Sequence, residues 1–241
     1  APNTKHPTSS TKHPTPNTKH PAPNTKHPTP NIYHPALKPM YRIISGQWKA
    51  KRISAPKNFD VRPTTDFAKE ALFSIIENRY RLDFASISVL DLFAGIGSIS
   101  LEFGSRACTD VTSVEMNPRH SAFIHTTAAE LEMGSQINVQ RADVFDYLKK
   151  NRKRKSYEIV VADPPFEMEI EKYNELISLV LNNNYLKENG VFILEHQSRT
   201  KLEHPNLTDT RKYGNVSFSF FKPNEMEVLE LTDTPDETPV S

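Results

Sequence analysis

The sequence predicts an α/β fold built on a mostly parallel sheet, and three observations carry that expectation. From Ser88 onward, short apolar runs alternate with helix-like segments. The runs are apolar at nearly every position rather than at every second one, the pattern of strands covered on both faces and joined by right-handed crossovers. The stretch RKYGNVSFSFFKP then breaks the alternation, because two strand-like runs meet at Gly214 and Asn215 with no helix between them. An antiparallel hairpin is expected there.

Taken in chain order, the first segment is not expected to fold. Hydrophobic residues make up 37% of the 241, low for a globular chain of that size, and the shortage is local. Residues 1–39 hold 10 of the 19 prolines, five lysines and no acidic residue, too little apolar surface to offset the entropy of ordering. His6, His13, His20, His27 and His34 recur every seventh position, each followed by proline. That excludes a helix and hence a coiled coil; a flexible low-complexity tract is the better reading over a metal-binding one. Met40 opens the patterned sequence and is the expected start of the functional protein.

After Met40, YRIISGQWKAKRIS alternates apolar and polar residues around Ser45 and Gly46, as a two-stranded hairpin with a basic face would. Such a hairpin is too small to be stable alone. Pro63, Thr64 and Thr65 can start the next helix, with Ala68, Leu72, Ile75 and Ile76 as its apolar stripe. The strands follow: SVLDLF before a helix to Phe103, DVTSVE before a helix from Pro118 to Met133, and INVQRA before a short helix to Lys150. YEIVVAD precedes a helix over roughly 169–183, and VFILEH follows a turn at Gly190.

Charge is clustered rather than abundant. The formal net charge is +1, yet Arg42, Lys49, Lys51, Arg52, Lys57 and Arg62 face only Asp60, and Lys149, Lys150, Arg152, Lys153, Arg154 and Lys155 crowd together. Both clusters suit a polyanion, the second equally a solvated loop. Residues 225–241 carry six carboxylates and no base. The one cysteine, Cys108, excludes a disulfide framework and a cysteine-rich zinc site within this chain and fits a reducing compartment. No run approaches the roughly 18 apolar residues of a membrane span, and no secretory signal is visible, so a cytoplasmic protein is expected.

The chemistry lies at the strand ends. DLFAGIGS, Asp91 to Ser98, sits between a strand and a helix and spends Gly95 and Gly97 out of only seven glycines, letting the backbone approach a ligand together with Phe93 and Ala94. A third glycine, which a nicotinamide or flavin fingerprint needs, is replaced by Ser100. Glu115 ends the second strand, where it can accept from ribose hydroxyls. Asp143 ends the third, placed for an adenine amino group, with Val144 as backbone donor and Met116 against the ring. Each carboxylate could instead cap the following helix. No Walker lysine is present, which favours S-adenosylmethionine over ATP.

Asp163, Pro164, Pro165 and Phe166 follow the fourth strand at the same edge. An exocyclic base amine is a poor nucleophile until its hydrogens are held so that the nitrogen can pyramidalise; the Asp163 carboxylate and the rigid Pro164 carbonyl supply two acceptors. Phe166 can stack on the base. A sulfonium methyl donor needs orientation more than activation, and no cysteine nucleophile is required, so addition of a thiol to a pyrimidine ring is not the route.

MYRIISGQWKAKRISAP, RPTTDFAKEALFSII, DLFAGIGSISLEFGSR, VEMNP, ADPPF and RKYGNVSFSFF together resemble the bacterial 16S rRNA (guanine-966 N2)-methyltransferase family over Met40 to about Pro223. The hairpin followed by Arg62, Pro63 and Thr64 is what points to this family rather than to other Rossmann-like methyltransferases. The resemblance implies a class I fold with a seven-stranded sheet containing one antiparallel strand, S-adenosylmethionine as cofactor, and 16S rRNA in an assembled or assembling small ribosomal subunit as partner. It also implies Arg62 and Thr64 near the target base, while the basic hairpin gives phosphate contacts through Arg42, Lys49, Lys51 and Arg52. The expected divisions are a tail over 1–39, the hairpin over 40–62, the catalytic domain over 63–223 and an acidic tail over 224–241, acting as a monomer without metal or membrane. The residues alone leave a DNA adenine-N6 methyltransferase and a non-catalytic ribosome-assembly factor open.

Overall fold

The structure, a computed structural model, describes residues 40–56, 59 and 65–223. The N-terminal repeat, Lys57, Asp60, Arg62, Pro63, Thr64 and the acidic tail lie outside the described residues. Two short strands, β1 (Met40–Arg42) and β2 (Arg52–Ser54), pair antiparallel with Tyr41 opposite Ile53. Helix α1 (Asp66–Ile75) follows, capped by the Thr65 hydroxyl accepting from the Ala68 N–H and extended by one π turn over Ile76–Tyr80.

The repeating units are β3 (Ser88–Leu92), α2 (Ser98–Ser105), β4 (Asp110–Val114), α3 (Pro118–Glu130), β5 (Ile137–Gln140), α4 (Val144–Lys150), β6 (Tyr157–Ala162), α5 (Ile170–Asn182) and β7 (Leu186–Gln197). The hairpin β8 (Leu207–Tyr213) and β9 (Val216–Phe221) closes the chain's described part. The seven strands from β3 on form one sheet in the order β5-β4-β3-β6-β7-β9-β8. β3 to β7 run parallel, and β9 runs antiparallel to both its neighbours, so the expected single antiparallel strand is β9.

Because side chains alternate across a strand, this sheet has two cores. Val89, Val111, Ile159, Val161 and Ile193 pack under Leu72, Phe73, Leu101, Phe103 and Ile124 of α1, α2 and α3. Leu90, Val114, Val160, Phe192 and Leu194 pack under Leu148, Tyr173, Leu176 and Val180 of α4 and α5. The strand reading holds for that reason: all five residues of β3 are buried.

Three local expectations need correction. Gly190 is not a turn before the strand: it lies within β7, where the register jumps from Tyr157 opposite Leu186 to Ile159 opposite Val191. An added Cβ there would sit 2.8 Å from the Tyr157 carbonyl oxygen, so glycine is needed for a close approach inside the sheet. The N-terminal hairpin does not turn at Ser45 and Gly46; residues 43–51 form its loop. And α1 buries more than its apolar stripe, since Lys69 is fully enclosed.

That lysine explains how so small a hairpin is held. The Lys69 ammonium donates to the Arg42 carbonyl at 2.6 Å and the Ser98 hydroxyl at 3.2 Å, and lies 3.7 Å from Glu102. Burial pulls its pKa down, opposed by Glu102. Glu102, equally buried, accepts the backbone N–H groups of Ile44 at 2.7 Å and Ser45 at 3.0 Å and pairs with Arg106. Gly46, at φ +83°, lies so near α2 that a Cβ would fall 1.8 Å from the Ser105 carbonyl oxygen. The loop is thus bolted along α2 by a charge network and one glycine.

Candidate functional site

The strand order reverses between β3 and β6, since the chain passes from β3 to β4 on one side and returns to β6 on the other. Open α/β sheets bind ligands in the crevice that such a reversal leaves at the carboxyl ends of the strands. A cavity of about 660 Å³ opens there. Asp91, Phe93, Ala94, Gly95, Glu115, Met116, Asp143 and Val144 line it together with Asp163, Pro164, Pro165 and Phe166. One glycine of the loop falls outside the lining. Gly97, at φ +82°, starts α2 and faces Ile124, whose Cγ1 would stand 3.0 Å from an added Cβ.

The loop after β3 is set by its backbone. Phe93 and Gly95 both take positive φ, 59° and 56°, and above Gly95 an added Cβ would meet only the Phe93 carbonyl oxygen, at 3.9 Å. The glycine therefore supplies a conformation and leaves open space beside it. Glu115 braces the loop: one carboxylate oxygen accepts the Gly95 N–H at 2.8 Å, the other the Asn117 N–H at 2.7 Å. Asp143 caps α4 by accepting from Asp146 N–H at 3.0 Å, the capping alternative, and it also lines the cavity. Met116 is 65% exposed at the rim, an apolar surface with room for a ring.

Asp91 lies deepest. Its carboxylate accepts from the Ser100 hydroxyl, which also shares a hydrogen bond with Ser113. Burial pushes the Asp91 pKa up to about 7, eased by Ser100 and reinforced by the charge of Asp163. The residue at the missing third glycine position is thus the partner of the first acid of the loop.

Asp163 follows β6 with its N–H on the Leu92 carbonyl at 3.3 Å, which ties the ends of β6 and β3 together. The Pro165 carbonyl accepts from Met168 N–H at 3.0 Å and closes a turn, while Gln197 donates to the Phe166 carbonyl at 3.3 Å. The segment is therefore fixed from both sides. Cys108, by contrast, is buried with its pKa raised to about 11 by burial, unsuited to nucleophilic attack.

Sequence reasoning missed several lining residues: Thr65 and Ala68 of the α1 start, Ile96 and Ser98 of the loop, His120, and above all Glu195. Glu195 stands in an otherwise apolar strand run and reads there as part of a core strand. The hairpin reaches the same place, since the Tyr41 hydroxyl donates to the Ile96 carbonyl at 3.0 Å.

The basic residues divide. Arg42 is paired with Asp66 and Glu70 at 3.2 and 3.4 Å, so its charge is largely met within the chain. Lys49, Lys51 and Arg52 are exposed and form no ion pair among the described residues. They belong to the hairpin that is held against α2, with Arg52 opposite Arg42 in register. Lys149 and Lys150 end α4, and residues 151–156 lead into the amino end of β6, at the sheet edge opposite the cavity. There Lys149 pairs with Glu175, Lys150 with Asp146 and Lys155 with Asp110.

The chain's relatives agree with this architecture. Residues 41–222 match the family described as conserved hypothetical protein 95. The ribosomal RNA small subunit methyltransferase D of Buchnera aphidicola is 32% identical over 185 residues, 75% of this chain and 90% of that protein. The solved structure of a hypothetical protein from Thermus thermophilus superposes with a TM-score of 0.64 at 22% identity, covering 76% of this chain and 99% of the other. An RNA methyltransferase of Salinibacter ruber in complex with S-adenosyl-L-homocysteine superposes at 0.52 with 13% identity, over 68% and 96%. Among the described residues no helix is long and apolar enough to cross a membrane. A cavity at the reversal point of the sheet, flanked by the glycine loop and the Asp-Pro-Pro-Phe turn, together with a match over nearly the whole described chain, places this protein in the conserved hypothetical protein 95 family, small-subunit rRNA methyltransferases of class I, S-adenosylmethionine-dependent architecture.

Proposed function

We propose that the protein transfers a methyl group from S-adenosylmethionine to the exocyclic N2 of a guanine in 16S rRNA, acting as a cytoplasmic monomer on the small ribosomal subunit or its assembly intermediate. The observation that carries this reading is the convergence of the Gly95 loop, Glu115, Asp143 and the Asp163 to Phe166 turn in one cavity, in a chain whose curated relatives are named as small-subunit rRNA methyltransferases.

The lining fits the cofactor by its chemistry. The free space at Gly95 admits the amino acid part, the Glu115 carboxylate suits ribose hydroxyls, and Asp143, Val144 and the exposed Met116 suit an adenine. Bound there, S-adenosylmethionine would supply an electrophilic methyl to the base nitrogen, and transfer would leave a neutral thioether and one proton to be shed from nitrogen. Asp163 and the Pro164 carbonyl would accept the amine hydrogens and turn the lone pair toward the methyl, and the Asp163 carboxylate would take the released proton. Pro165 holds the turn, and Phe166 stacks on the base, an interaction worth about 1–3 kcal/mol.

RNA contacts fall to the hairpin of residues 40–62, with the catalytic domain over 63–223. Lys49, Lys51 and Arg52 meet phosphates, Arg42 fixes the hairpin to α1, and Arg62 and Thr64, outside the described residues, approach the target base. The test is transfer of labelled methyl to small subunits lacking the modification, with mass spectrometry of the nucleosides. N2-methylguanosine is expected in the rRNA, whereas N6-methyl-2′-deoxyadenosine from DNA offered in a parallel reaction overturns the assignment. Asp163→Ala should lower transfer by on the order of 1,000-fold while leaving cofactor affinity nearly unchanged; robust transfer by that variant removes Asp163 from the reaction.

A further inference from the structure

β6 and β7 run parallel in register, Val161 beside Ile193 and Ala162 beside Leu194. β6 ends at Ala162; the residues that directly follow that last pair are Asp163 and Glu195, two acids at the carboxyl edge of the sheet, and both line the cavity. Glu195 is only 5% exposed, although it follows Val191 to Leu194, all of which are fully buried core. The two acids share a neighbour as well: after burial, the charges of Asp163, Glu167 and Glu195 are what raise the pKa of the enclosed Tyr173, to about 12.

We propose that Glu195 is the residue that selects guanine, by accepting the ring N1–H of the base while Asp163 and Pro164 hold its N2 amine. This rests on the guanine-N2 reading above. The Watson–Crick edge of guanine presents N1–H directly beside the amine, two adjacent donors, and two adjacent carboxylates are their complement. Adenine presents a bare N1 lone pair beside its amine. Glu195 would oppose that lone pair with its own, with no proton between them, so the same pocket accepts the amine of one purine and rejects the other. Sites built to hydrogen-bond an N–H discriminate strongly against analogues that lack it, because the buried acceptor is then left unmatched. Glu195 is a specificity-determining residue in this scheme, distinct from the acceptors that engage the reacting nitrogen.

The decisive comparison uses small subunits reconstituted with 16S rRNA carrying either guanosine or 2-aminopurine riboside at the mapped target position. 2-Aminopurine keeps the 2-amine but has an unprotonated N1. The wild-type protein should prefer guanosine over 2-aminopurine by about 100-fold or more in kcat/KM. Glu195→Gln, whose amide can donate to a bare N1, should lose about 100-fold on guanosine and show a preference ratio reduced at least tenfold. Each variant is its own reference in that ratio, so partial unfolding or weaker cofactor binding does not imitate the result. If the wild type yields N2-methylguanosine and Glu195→Gln keeps the wild-type ratio, the assignment of Glu195 is overturned and the base assignment stands. A wild-type product other than N2-methylguanosine overturns both.

Discussion

Two segments of this chain carry the same signal in sequence, a dense run of lysine and arginine, and the fold places one beside the cavity and the other away from it. Along the hairpin, Lys49, Lys51 and Arg52 remain exposed without ion pairs among the described residues, on a strip bolted to α2 and tied to the cavity through Tyr41 and Ile96. At the end of α4, Lys149, Lys150 and Lys155 are each paired with a carboxylate, while Arg152, Lys153 and Arg154 are exposed without ion pairs among the described residues, all at the edge of the sheet away from the cavity. Exposed pairs of that kind contribute little to stability, but they do reduce what remains for a polyanion. Clustering alone therefore does not mark a binding surface, and neither does unmet charge; what marks it is the two combined with proximity to the site.

The sharpest way to break this contrast leaves every exposed cation in place. Glu102→Ala removes the acceptor of two hairpin N–H groups and strands the enclosed Lys69. Removing one partner of a buried pair costs about 3–5 kcal/mol, so thermal unfolding should fall by roughly 10 °C. RNA affinity should fall as well, though no basic residue has changed. Unaltered melting and affinity would show that the hairpin does not depend on α2.

A smaller effect tests the charges directly. Neutralising Lys49, Lys51 and Arg52 to glutamine should weaken binding to small-subunit RNA by about 50-fold at physiological salt and lower the salt slope by roughly 2. The same change at Lys149, Lys150 and Lys155 should alter affinity by less than about threefold. Equal losses in the two triple variants would erase the distinction drawn here between the segments.

The smallest expected effect concerns a charge that belongs to neither cluster. Burial raises the Asp91 pKa from 3.8 to about 7, so across that interval the folded chain holds a proton that the unfolded chain has released. Stability attributable to this group therefore falls as pH rises from about 4 to about 7 and stays low above it. Asp91→Asn should remove that dependence, gaining on the wild type by about 2 kcal/mol between pH 5 and pH 7 in denaturant titrations. Parallel stability curves for the two proteins would show that Asp91 is ionised in the fold at both values.

Much of the architecture was legible because its signals are local. Continuous apolar runs such as SVLDLF and YEIVVA can satisfy themselves only in a sheet covered on both sides, and Gly214 with Asn215 supplies the turn that an antiparallel pair needs. The acid after each strand was legible for the same reason, since its position follows from where the run ends. Lys69 was not legible: between Ala68 and Leu72 a lysine reads as the solvent side of an amphipathic helix, and only the hairpin lying over α1 encloses it. Gly190 read as a turn because nothing local shows that Tyr157 will press against it.

What the sequence determined by itself is the set of elements and the edge at which their polar ends gather, because both follow from periodicity along one stretch of chain. What only the tertiary structure decided is the meaning of isolated charges. Glu195 and Asp163 are 32 residues apart in the chain and line one cavity, and Lys149 and Lys155 meet carboxylates brought in from other elements. Burial and Coulomb energy depend on distances in space, which one-dimensional spacing does not contain.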